Sequence, residues 1–90
     1  MPKRVDKNQK EIVSEIRKAG YSVQHLHTVG KGCPDILVGY EGRNALLEIK
    51  GEKGNLTPDE ARWHSAWKGQ VAVVHSPQEA LELLMRRKRS

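Results

Sequence analysis

The chain has 90 residues, enough for one domain (1–90) with a thin core, and 37% of them are hydrophobic. No apolar run approaches the roughly 18 residues of a membrane span, none follows the charged N-terminus as a signal peptide requires, and the lone Cys33 excludes an internal disulfide or a cysteine-rich zinc site. Sixteen Lys and Arg against eleven Asp and Glu leave a net charge of +5, which favours a polyanionic partner, nucleic acid above all, and a reducing cytoplasm fits the cysteine count.

A first helix is expected from Asp6, a residue suited to cap it, to Gly20, a residue that stops helices, with Val5, Ile12, Val13, Ile16 and Ala19 on one face. A strand should follow over Tyr21 to Thr28, where Tyr21, Val23, His25 and His27 alternate with Ser22, Gln24 and Leu26. Gly30-Lys31-Gly32-Cys33-Pro34 breaks either regular element and forms a loop whose glycines would let it approach a ligand. Ile36, Leu37 and Val38 form a short apolar strand. Glu41-Gly42-Arg43-Asn44 is a hairpin turn, and Ala45 to Lys50 pairs back.

Gly51 to Asn55 is expected as a flexible loop. Thr57-Pro58-Asp59-Glu60 then announces a helix, with Thr57 as cap, Pro58 at the first position and Glu60 closing a capping box. Trp63 and Trp67, four apart on that helix, suit a core or a dimer interface, with a base-stacking platform as the alternative. Val71 to Val74 make a strand covered on both faces. Ser76-Pro77-Gln78-Glu79 repeats the capping device ahead of a last helix carrying Ala80, Leu81, Leu83, Leu84 and Met85, followed by a basic tail over 86–90. The order α-β-β-β-α-β-α predicts an α/β fold, a mixed sheet of about four strands with helices on both sides.

Three charges stand out against these apolar strands. Side chains alternate along a strand, so Glu48 and Lys50 share a face while Ile49 points into the core with its carbonyl near Glu48. If the two strands pair through the Glu41–Asn44 turn, Asp35 comes opposite them. Two carboxylates and a carbonyl then converge beside an ammonium, an oxygen-rich set suited to a hard divalent cation such as Mg²⁺. Such an ion neutralises a phosphate and generates hydroxide from bound water, while Lys50 can orient the attacking water or stabilise developing charge. The competing reading is a surface ion-pair cluster of little energetic worth.

Pro34-Asp35 followed by Glu48-Ile49-Lys50 resembles the PD-(D/E)xK nuclease superfamily. With "NQKEIVSEIRKAG", "VGKGCPDILVG", "LLEIKG", "LTPDEARWH" and "VAVVHS" in this order, the chain more closely resembles the VRR-NUC domain in the small stand-alone form typical of bacteriophages. The resemblance implies a restriction-endonuclease-like core, with Asp35, Glu48 and the Ile49 carbonyl holding Mg²⁺ or Mn²⁺ and Lys50 catalytic. It also implies a homodimer acting on branched DNA such as four-way junctions, in the bacterial host cell if phage-encoded. Relatives often carry an acidic residue on the first helix. Glu11 is the candidate here, although the helical wheel turns it more than 90° from the apolar stripe and puts Gln9 closest to the inward face. Where relatives often have Gln on the second helix, this chain has Glu60. Lys31, Arg43, Lys53 and Arg62 are the candidate phosphate contacts.

The sequence is thus expected to encode a metal-dependent DNA endonuclease. A non-catalytic basic DNA-binding module and a flap or single-strand nuclease are the alternatives.

Overall fold

The computed structural model describes residues 7–88. The elements run α1 (Lys7–Lys18), β1 (Ser22–His25), β2 (Ile36–Tyr40), β3 (Arg43–Ile49), α2 (Pro58–Ala66), β4 (Val71–Val74) and α3 (Pro77–Lys88). The strands form one sheet in the order β1-β2-β3-β4. The first two pairings are antiparallel and β3–β4 is parallel, so the sheet is mixed as the element order predicts. Asp6 and Val5, the expected cap and first apolar-face residue, lie outside the described residues, as does the end of the basic tail. The part of that tail from Arg86 to Lys88 continues α3.

The core follows from the strand period. Ile36, Val38 and Tyr40 on β2 and Ala45, Leu47 and Ile49 on β3 are buried and share one face, because the register pairs Ile36 with Leu47 and Val38 with Ala45. Ile12, Val13 and Ile16 of α1 and Ala80 and Leu84 of α3 complete the cluster over that face. Each fully buried Ile or Leu contributes roughly 1.5–3 kcal/mol, so this face supplies most of the stability. α1 ends where Gly20 stops it. The Tyr21 N–H donates to the Ile16 carbonyl at 3.3 Å and the Gly20 N–H to the Arg17 carbonyl at 2.9 Å, a Schellman closure.

The β2–β3 hairpin is tighter than the sequence suggests. Tyr40 pairs with Arg43, so the turn holds only Glu41 and Gly42, at φ of 50° and 75°. Two successive positive φ values are the signature of a type I′ turn, whose twist matches that of the strands. β2 therefore runs on to Tyr40, and β3 starts at Arg43 rather than Ala45.

β1 is shorter than the expected Tyr21–Thr28 and stops at His25. Its ladder carries one more bond, from the Leu26 N–H to the Asp35 carbonyl at 2.8 Å. Beyond that the partner strand presents Pro34, which has no N–H to extend the pairing, and the Val29 N–H closes a turn on the Leu26 carbonyl. His27 thus lies in a turn, its ring edge-on to His25 at 5.7 Å.

One loop corrects the sequence reading, and the expected loop after β3 is a turn-closed one. A Cβ on Gly32 would stand 2.5 Å from the Asp59 carbonyl oxygen, and Gly32 has a φ of 84°. Its missing side chain therefore admits the first turn of α2 rather than a ligand. The segment after β3 folds back through a bond from the Gly54 N–H to the Gly51 carbonyl at 2.9 Å.

Candidate active site

The face of the sheet opposite the core is where the charges gather. With Ile36 opposite Leu47, the antiparallel register brings Asp35 opposite Glu48, and Lys50 follows two residues on from the same face. Both carboxylates are buried, Asp35 2% exposed and Glu48 0%. Asp35 Oδ2 accepts a bond from the Ile49 N–H at 2.7 Å. In an extended strand the N–H and C=O of one residue project toward the same edge. The Ile49 carbonyl is therefore directed to the Asp35 side, where the expected ligand set needs it.

Lys50 is tethered on all sides. Its N–H donates to the Val74 carbonyl at 3.0 Å, and its carbonyl accepts from Asn8 Nδ2 at 2.9 Å. Its ammonium lies 2.6 Å from Glu60 Oε1 and 3.9 Å from Glu48 Oε2. Glu60 reaches it because α2 begins where the sequence places it. Thr57 Oγ1 accepts from the Glu60 N–H at 3.3 Å, and Glu60 Oε1 accepts from the Thr57 N–H at 2.9 Å. The same oxygen that closes the capping box thus holds the lysine. The helix cap and the lysine clamp are one residue.

Two residues in this region carry no site signature in the sequence. Asn8 Nδ2 also donates to the His75 carbonyl at 3.1 Å, so one amide ties α1 to the carboxyl ends of both parallel strands. Its only sequence signal is its place four residues before Ile12, beside the apolar stripe. His64 stands four residues after Glu60 on the same flank of α2, half-buried, with Nε2 lacking a hydrogen-bond partner. Burial holds its pKa below the ordinary 6.5, Lys50 adds to the lowering, and Glu60 opposes it. Scattered among four histidines, His64 gives no pattern that singles it out.

The remaining candidates divide by position. Gln9 is buried on the inward face of α1, whereas Glu11 is exposed and lines the groove between α1 and α3 with Leu81 and Met85. Of the two first-helix candidates the fold therefore turns Gln9 inward. Lys31 and Lys53 are exposed on the loops flanking Asp35 and Lys50. Arg43 stands at the hairpin turn, about 17 Å of strand away from Glu48, and Arg62 pairs with Asp59 on its own helix. The structure sets Arg43 far from the site.

Ser76 caps α3 by accepting from the Glu79 N–H at 3.1 Å. Glu79 Oε1, however, takes the His75 N–H at 2.6 Å, one residue earlier than a capping box requires. Trp63 and Trp67 stack at 4.6 Å between centroids and belong to α2's own surface rather than to the main core, with Trp67 47% exposed above Leu37 and Leu46.

Among the described residues, no group of three or more His, Cys, Asp and Glu is arranged to hold a metal ion. The donors that converge are two carboxylates and a carbonyl edge, a set that suits a cation keeping several of its waters. The charge balance also fits. Asp35, Glu48 and Glu60 against Lys50 leave a formal charge of −2 in a largely buried cluster, which a divalent cation offsets.

Compared with known proteins, the chain matches no family model, no curated protein and no solved structure. The resemblance to VRR-NUC nucleases rests on the motifs and their order.

Proposed function

We propose that this chain is a metal-dependent endodeoxyribonuclease of the VRR-NUC type, hydrolysing phosphodiester bonds in branched DNA as a homodimer. The observation that carries the reading is the register that sets Asp35 opposite Glu48 with Lys50 clamped beside them, three charged side chains on strand ends that core packing does not require. Asp35, Glu48 and the Ile49 carbonyl would hold Mg²⁺ or Mn²⁺. When bound, the ion supplies Lewis acidity toward the phosphate and lowers the pKa of a water.

The chain's own residues do the rest. Asp35 is oriented by the Ile49 N–H, which fixes one carboxylate oxygen and aims the other. Lys50 presents its ammonium between Glu48 and Glu60, where it can hold the attacking water or meet the charge growing on the phosphoryl oxygens. Glu60 restrains the lysine's flexible stem, so less rotamer freedom is lost when the transition state forms. Two such sites related by a twofold axis would cut two strands symmetrically, which gives the dimer its purpose on a four-way junction. Selectivity for branched DNA and the dimer enter this reading through the resemblance.

The test is cleavage of a labelled four-way junction and of the matching linear duplex in Mg²⁺, Mn²⁺ and EDTA. Paired cuts confined to the junction and dependent on metal are expected, with Lys50→Ala losing on the order of 10²–10³-fold in rate. Tight binding without cleavage in either metal would identify a DNA-binding module instead. Cutting of flaps or single strands alone would replace the junction assignment.

A further inference from the structure

α1 is flanked by two grooves of opposite character. The one it shares with α3 is bordered by Glu11, Glu15 and Glu82. The one it shares with β1 is lined by Lys10, Val13, Ser14, Arg17, Lys18, His25 and His27, with Lys18 at its rim paired to Glu15 at 3.3 Å. None of these residues belongs to the site described above. Five of the seven carry or can acquire positive charge, Ser14 is a hydroxyl donor and Val13 is apolar.

Position gives the groove a direction. Leu26 lies between His25 and His27, and its N–H bonds the backbone carbonyl of Asp35, so the histidine end of the groove reaches the β1 edge of the sheet, around which lies the face that bears the Asp35 carboxylate. From there the groove follows α1 back to Arg17 and Lys18. Lys10 to Lys18 spans about 12 Å of helix, the length of roughly three successive phosphates on one strand. Arg17 spends one donor on the Val23 carbonyl at 3.3 Å, which steadies the guanidinium and leaves further N–H groups for a ligand. His25 Nδ1 is buried with no hydrogen-bond partner in the protein, a polar atom whose missing partner the groove has room to supply.

We propose that the α1–β1 groove is a backbone track that binds the phosphates of one nucleic-acid strand and leads it to the Asp35–Glu48–Lys50 site. The proposal rests on the nucleic-acid reading above and adds to it a surface outside the cleavage centre. Contacts of this kind position the strand and carry no base information, so the track is sequence-independent and sensitive to salt.

Binding of a fluorescein-labelled four-way junction is measured by anisotropy in EDTA over a salt titration, for the wild type, Lys10→Ala/Lys18→Ala and the charge-matched control Lys68→Ala/Arg86→Ala. All four substituted side chains are exposed, and thermal melts confirm that both doubles fold. Loss of the two groove lysines should weaken binding about tenfold at low salt and make the slope of log affinity against log salt shallower by about two. The control should stay within about twofold with its slope unchanged. Equal losses in both doubles would show a diffuse charge effect and overturn the track, as would an unaltered groove variant or a wild type that does not bind. Because EDTA separates binding from cleavage, a chain that binds through the groove but never cuts sinks the nuclease reading alone. One that cuts while the groove variant keeps its affinity sinks the track alone.

Discussion

The two faces of the β2–β3 hairpin are built from alternate residues of the same strands and obey opposite rules. On one face Ile36, Leu47 and Ile49 meet α1 and α3 in a closed apolar cluster. On the other, Asp35, Glu48 and Lys50 stand one residue out of step with them, and the helix above supplies Glu60 and His64 in place of aliphatic side chains. A shift of one residue in register would exchange the two sets, so the core that holds the register also holds the site. Apolar packing and the charged cluster are divided between faces, not between regions of the chain.

The division can be broken most severely at adjacent positions of β3. Leu47→Asp places a carboxylate among Ile12, Ile36 and Leu84 with no cation to meet it, and should cost at least about 4 kcal/mol, enough to unfold the domain. Glu48→Gln, one residue away and equally buried, keeps shape and volume while reducing the negative charge of the cluster. It should leave the fold within about 1 kcal/mol of the wild type, or above it, while removing the metal-dependent cleavage proposed above. Urea titrations followed by circular dichroism measure both. A Glu48→Gln protein destabilised as much as Leu47→Asp would make Glu48 a structural group and erase the contrast.

Much of this arrangement was legible in the sequence because it depends on local periodicity. The alternation in "ILVGY" and "NALLEIKG" and the glycine turn between them suffice to put Asp35 across from Glu48. Thr57 and Glu60 marked the start of α2 for the same reason, since a capping box is a spacing of three. What could not be read depends on contacts between distant segments. Asn8 meets Lys50 across 42 positions, and Gly32 meets Asp59 through the path of a loop, and neither leaves a periodic trace. The role of Glu60 was half visible, since the spacing gives the cap but only the tertiary fold delivers Lys50 to the same oxygen.

Asn8 sharpens the comparison because it reaches from the helix that covers the core to the strand end that bears the site. Asn8→Ala leaves the carbonyls of Lys50 and His75 without their side-chain donor and should cost about 1–2 kcal/mol. The loss should fall unevenly, with faster amide exchange at the carboxyl ends of β3 and β4 and little change at the Glu41–Gly42 turn. Uniform loss of protection along both strands would mean that Asn8 supports the fold as a whole and not the junction between faces.

The smallest effect expected is a pH dependence that belongs to the charged face alone. Burial, with Lys50 nearby, favours the neutral ring of His64 in the folded protein despite the attraction of Glu60, so the pKa lies below 6.5 there and returns toward 6.5 on unfolding. Between those values the unfolded chain binds more protons than the folded one. The contribution of His64 to stability is therefore fully present above pH 6.5 and is lost as pH falls below it. Thermal midpoints of the wild type and His64→Gln, measured in EDTA through this range, should converge or cross as the solution is acidified, with the wild type falling more steeply. Parallel curves would show that the imidazole stays as hydrated in the fold as in the open chain. The enclosure of the face that carries Lys50 would then be looser than the stacked Trp63 and Trp67 and the clamp of Glu60 imply.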